Sequence, residues 1–93
     1  MIIGCADLQP SCLTKINGIA KEQYIYFGVR EHAMCAISNG ISAYGGFIPF
    51  DATFLAFFSY ASAAIRLGAM SRLGVIHVFT HDSILIGEDG GTH

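Results

Sequence analysis

Apolar residues gather in short blocks separated by glycine and small polar residues, and the blocks alternate between two periods. Tyr24-Ile25-Tyr26-Phe27 is an aromatic and β-branched run that Gly28 ends, which predicts a short strand over residues 24–27. Good helix formers then follow with few breakers. Ala33, Met34, Ala36, Ile37 and Ile41 supply an apolar face and predict a helix over residues 30–44, weakened locally by Gly40 and Ser42 and stopped by Gly45-Gly46. Phe47-Ile48-Pro49-Phe50 reads as a second short strand, with its proline near an end or a bulge. A second helix is predicted over residues 53–71, where Ala61, Ala63, Ala64, Leu67, Ala69 and Met70 suit burial on most sides. Val75-Ile76-His77-Val78-Phe79 is a third strand, and a glycine-rich loop follows Thr80-His81-Asp82-Ser83. Residues 1–23, with Asp7, Pro10, Ser11 and Thr14, read as an irregular leading segment.

The order β-α-β-α-β with continuous apolar strands indicates an α/β fold. Its expected form is a three-layer α/β/α arrangement around a mostly parallel sheet, one domain over residues 1–93. Right-handed crossovers send the C-terminal ends of all three strands to one edge. Residues 28–31, 51–53 and 81–93 then converge on the edge where open α/β sheets bind ligands.

Composition changes this picture in one respect. The 93 residues are 53% hydrophobic and only 13% charged, against about 25% charged in an ordinary soluble domain. So greasy a chain is expected to bury surface against another chain or to be a piece of a larger protein. A net charge of −2 with no basic stripe argues against nucleic-acid binding. The stretch from Ala33 to Phe50 is interrupted by Ser, Asn and Gly, so no membrane span is expected, and Met1 to Asp7 makes a poor signal peptide. Cys5, Cys12 and Cys35 are odd in number and lack metal or redox spacing. They read as buried reduced thiols in an intracellular, cytoplasmic setting.

Candidate chemistry lies at the predicted ligand edge. Glu31 follows a strand and a glycine and opens a helix, so it is either a favourable partner for the helix dipole or a working acid/base. Phe54, Phe57 and Phe58 share a helical face with residue 61, with Tyr60 at its flank. The stripe is either core or a platform for a flat heteroaromatic ligand. His77, His81 and His93 match no zinc motif, so no metal site is expected here. His81 and His93 make better sense as proton donors or anion partners. Gly87-Glu88-Asp89-Gly90-Gly91 is either an ordinary tight loop or one that offers Asp89 to substrate hydroxyls.

Together these residues resemble the pyrimidine-binding domain of the transketolase family. The resemblance rests on Ala6-Asp7-Leu8-Gln9-Pro10-Ser11, Phe27-Gly28-Val29-Arg30-Glu31-His32-Ala33-Met34 and Asn39-Gly40-Ile41-Ser42-Ala43. It continues through residues 53–61 and from Thr80-His81-Asp82-Ser83 to Gly87-Glu88-Asp89-Gly90. Each segment is short, but five in the right order and spacing are jointly specific. The resemblance implies that Glu31 is the glutamate bonded to N1′ of the thiamine diphosphate aminopyrimidine, promoting the tautomer that takes the thiazolium proton. It implies that Phe57 stacks on that ring, that Phe54 and Tyr60 line the pocket, and that Asp7 lies near the cofactor. Ser11 would bind the sugar phosphate, while His81, Asp89 and His93 would contact the sugar, with His81 counted beside Glu31 as catalytic.

The implied parent enzyme moves a two-carbon ketol unit from a ketose phosphate to an aldose phosphate in the pentose phosphate pathway. It would act as a homodimer, with Mg²⁺ (or Ca²⁺) held by a domain that this chain does not resemble. The chain would supply half of a site and be inactive alone. A dihydroxyacetone synthase-type sister enzyme and a non-catalytic, partner-binding remnant are the other readings. The chain departs from the family pattern at Cys12, Leu85 and Gly91, where the family carries asparagine, glycine and proline. These departures bear on the substrate more than on the cofactor.

Overall fold

A computed structural model describes residues 1–6, 21–82, 85, 87, 90, 91 and 93. Four parallel strands form one sheet in the order β2-β1-β3-β4, where β1 is Ile2–Cys5, β2 Tyr24–Tyr26, β3 Pro49–Phe54 and β4 Ile76–Thr80. Helix α1 (Glu31–Tyr44) joins β2 to β3, and α2 (Phe58–Met70) joins β3 to β4. The expected parallel α/β unit is therefore present.

β1 lies inside the segment expected to be irregular, yet it pairs with β2 on one side and β3 on the other. Four residues with a glycine among them carry too little period to announce a strand. Gly4 is needed there for close packing. A Cβ at that position would collide with the ring of Phe27, which lies buried beside it.

β3 starts two residues later than expected and runs four further, through Phe54. Asp51 looked like the start of a loop, but it is buried inside the strand. Leu55–Phe57 makes a 3-10 turn before α2, so Phe54, Phe57 and Phe58 do not share one helical face as expected. Phe54 ends a strand, and Phe57 sits in the turn. Pro49 occupies the first position of β3, where its missing N–H costs least.

α1 begins one residue after its expected start and ends where expected. Its buried face is Glu31, Met34, Cys35, Ser38 and Asn39, so of the predicted apolar face only Met34 is fully covered. α2 buries Ala61, Ala64 and Gly68, a spacing of three to four residues, while Leu67 and Met70 stay exposed. It is thus buried along one stripe instead of on most sides. α1 and α2 pack against each other. Two right-handed crossovers in the same direction put both on one face of the sheet.

A core of Ala6, Phe27, Met34, Cys35, Ala61 and Ala64 fills the space between helices and sheet. The opposite face of the sheet carries Cys5, Ala52 and Phe54, with Phe50, Phe57 and Val78 against them. Among the described residues no helix covers that face, so they show two of the three expected layers.

Candidate functional site

The turn from β2 into α1 sets the site. Gly28 has φ +63°, a conformation that costs a side-chain-bearing residue about 1 kcal/mol or more. This lets the chain double back so that the Arg30 N–H reaches the Gly28 carbonyl at 2.8 Å. The Arg30 guanidinium donates from Nη1 to the Phe27 carbonyl at 2.7 Å and ties the turn to the strand it leaves. Arg30 supplies no side-chain cap. Glu31 therefore stands in the first turn of α1 as an acid at a positive helix end. It is 6% exposed, which is far from the solvated posture of an ordinary surface charge.

Glu31 forms part of the wall of a hollow of about 530 Å³ lined by Val29, Arg30, Glu31, His32, Phe57, Tyr60 and His93. The aromatic members make one continuous group. Phe54 and Phe57 stack with centroids 6.0 Å apart and planes 15° apart. Phe57 meets His93 edge-on at 4.8 Å and lies tilted against Tyr60 at 6.2 Å. His81 tilts over Phe54 at 4.5 Å. The turn that delivers His93 is closed by the Gly90 N–H on the Gly87 carbonyl and the His93 N–H on the Gly90 carbonyl, each at 3.2 Å.

The structure thus brings Glu31, Phe57, Tyr60 and His93 to one hollow, with Phe54 and His81 packed behind and beside it. Leu85 and Gly91 are exposed. Asp7, Ser11, Cys12 and Asp89 lie outside the described residues. The segment 51–53 does not join the ligand edge as expected, because Asp51 and Thr53 are buried within β3. The sequence reading placed Val29, Arg30 and His32 in the motif around Glu31 but gave them no role in the site. Their place directly beside Glu31 was the available signal.

A second polar group lies deeper, under α1. His77 Nδ1 of β4 is 2.7 Å from Asp51 Oδ1 of β3, and Cys35 Sγ of α1 is 3.8 Å from the same nitrogen. Burial pushes the Cys35 thiol up to about 12, helped by the neighbouring Asp51 carboxylate and the Glu31 charge. This thiol is neutral at physiological pH and is a poor nucleophile.

Comparison with known proteins fits the geometry. The family model for the transketolase pyrimidine-binding domain matches residues 1–93. The chain is 52% identical over 99 residues to a transketolase of Buchnera aphidicola, and 51% identical over 96 residues to transketolase 1 of Escherichia coli. All of this chain is covered in the first case and 97% in the second. It spans only 15% and 14% of those relatives. The crystal structure of a Campylobacter jejuni transketolase superposes with TM-score 0.89 at 45% identity, covering 99% of this chain and 15% of that one. A Leishmania mexicana transketolase superposes with TM-score 0.84 at 52% identity, with the same coverage. The chain belongs to the transketolase family, as its pyrimidine-binding domain.

Proposed function

We propose that this chain forms the aminopyrimidine half of the thiamine diphosphate site of a transketolase, which transfers a two-carbon ketol unit from a ketose phosphate to an aldose phosphate. The observation that carries the reading is Glu31, buried in the wall of a hollow whose other side is aromatic. A flat, nitrogen-bearing ring fits those walls. Phe57 and Tyr60 offer ring faces or edges, and Glu31 offers an oxygen to a ring nitrogen.

When bound, the cofactor supplies the carbanion chemistry, and the protein's share is orientation and electrostatics. Glu31 shares one proton with the ring nitrogen, and that proton belongs to the pair instead of to either member. Phe57 fixes the ring plane, while Tyr60 and Phe54 close the pocket, so the reacting groups stay near attack distance. His81 and His93, from the loop after β4, would donate to sugar oxygens. Asp7 serves the cofactor, and Ser11 and Asp89 serve the substrate. Glu31 is the one carboxylate among the described lining residues, so Mg²⁺ (or Ca²⁺) and the diphosphate are assigned to another domain. The rest of the site is assigned to that domain in a second subunit, in a cytoplasmic homodimer.

Glu31→Gln in the full-length protein tests the reading. Turnover should fall by about 10²-fold or more, the scale of a lost acid/base group. Cofactor affinity should change by less than about tenfold, because the amide keeps the shape. Unchanged turnover refutes the role.

A further inference from the structure

Cys35, Asp51 and His77 have no part in the proposed reaction, yet they come together from three elements. One Sγ, one Nδ1 and one carboxylate oxygen all lie within 4.8 Å of one another. Cys35 and Asp51 are 0% and 1% exposed, and His77 is partly open, at 17% for its side chain. The second carboxylate oxygen, Asp51 Oδ2, is buried with no hydrogen-bond partner. An orphaned oxygen on a buried carboxylate is costly, and buried carboxylates are usually paired or bound to metal.

We propose that Cys35, Asp51 and His77 form a three-ligand site for a borderline-soft divalent cation of the Zn²⁺ class. Sulfur, imidazole and carboxylate are the donor types that Zn²⁺ accepts, and such a mixture disfavours Mg²⁺ and Ca²⁺, which take oxygen alone. Bonds of about 2.0 to 2.3 Å in a tetrahedron put donor atoms roughly 3.3 to 3.6 Å apart. The Cys35–His77 separation of 3.8 Å is near that already, whereas the Asp51–His77 separation of 2.7 Å must open by roughly 0.6 Å.

The proton balance is simple. Cys35 gives up its thiol proton to solvent as the sulfur–metal bond forms. The neutral His77 ring moves its proton from Nδ1 to Nε2, freeing Nδ1 to bind. Two anionic ligands then neutralise the cation, and a water completes four-coordination from the partly open His77 side. The charged group that also faces the thiol is Glu31, one turn earlier on α1. A cation here would pin α1 to β3 and β4 directly beneath the turn that presents Glu31.

Spacing along the chain hides this site, because ligands at 35, 51 and 77 match no linear metal motif. The inference stands apart from the assignment of Glu31. Full-length protein stripped with chelator and titrated with Co²⁺ should develop a thiolate-to-cobalt absorption band. Competition against a chromophoric chelator should show Zn²⁺ binding at one per chain. Cys35→Ala, Asp51→Asn and His77→Gln should each abolish the band and weaken Zn²⁺ at least a hundredfold, while Cys5→Ala should keep both. Zinc-edge X-ray absorption on the unmutated protein requires no variant to fold and should show one sulfur among nitrogen and oxygen neighbours. Absence of a sulfur neighbour, or a cobalt band that survives Cys35→Ala, overturns the proposal.

Discussion

Gly68→Ala is the sharpest test of how α1 and α2 hold together. A Cβ built on Gly68 lies 2.5 Å from Asn39 Oδ1, 3.1 Å from its Cγ and 3.2 Å from its Nδ2. The methyl would therefore strike the whole amide and not only its tip. The amide cannot simply swing away, because Asn39 Nδ2 donates to the Ala64 carbonyl at 2.8 Å in a buried setting. Yielding breaks that bond and strands a buried amide, which costs about 1–3 kcal/mol. Holding still forces overpacking of about 1–3 kcal/mol. Alanine's better helix propensity returns about 1 kcal/mol. The net expectation is a destabilisation of up to about 2 kcal/mol at the α1–α2 contact. In an Asn39→Ala background the obstacle is gone, so Gly68→Ala should be neutral or stabilising by up to about 1 kcal/mol. The coupling between the two sites is then the clash itself, about 1–3 kcal/mol. Native-state hydrogen exchange of the full-length protein, read by mass spectrometry over α1 and α2, isolates this local stability where a whole-protein melt cannot. A coupling of 2 kcal/mol appears as a roughly thirtyfold difference in protection. Additive effects of the two substitutions would refute the packing argument.

Three other outcomes follow from neighbouring features. With chelator present at pH 8, Cys35 should react with iodoacetamide about a thousandfold more slowly than in the unfolded chain. Its proton is held to about 12 instead of 9.0, and only the thiolate reacts. Peptide-level mass spectrometry reads this, and equal rates would contradict the burial. The same raised value means that folding is favoured by the retained proton below pH 9. That advantage is lost as pH climbs through 9 toward 12, by at most about 1.4 kcal/mol per pH unit, which denaturant titrations of metal-free protein across that window would detect. Gly4→Ala should cost about 1–3 kcal/mol and lower turnover as well. The displaced Phe27 ring adjoins Gly28 and the anchor of Arg30, so full turnover at reduced melting temperature would separate β1 packing from the site.

What could be read from the chain and what could not divides along a physical line. Glu31 was legible because its placement is local. A β-branched run, a glycine able to take φ +63° and an acid before helix formers are all written within eight residues. The parallel order of β2, β3 and β4 was legible for the same reason, since period and punctuation repeat along the chain. β1 was not, because Ile2–Cys5 becomes a strand only by pairing with segments about twenty and forty-five residues away. Asp51 shows the limit most clearly. In isolation an aspartate after a proline and an aromatic residue argues for a loop, and only His77, twenty-six residues on, makes it tolerable inside a sheet. The misplaced start of α2 follows from that single reading, and so did the idea that Phe54, Phe57 and Phe58 share a helical face. The meeting of Phe57 and Tyr60 at the hollow, with Phe54 behind, survives the correction because it depends on the end of β3, not on helical period. Phe54 closes the strand, and the 3-10 turn swings Phe57 beside Tyr60 and His93. A site assembled at strand ends is thus robust to errors in where helices begin, whereas a buried polar cluster, whose members are meaningful only together, is invisible until the strands are set in register.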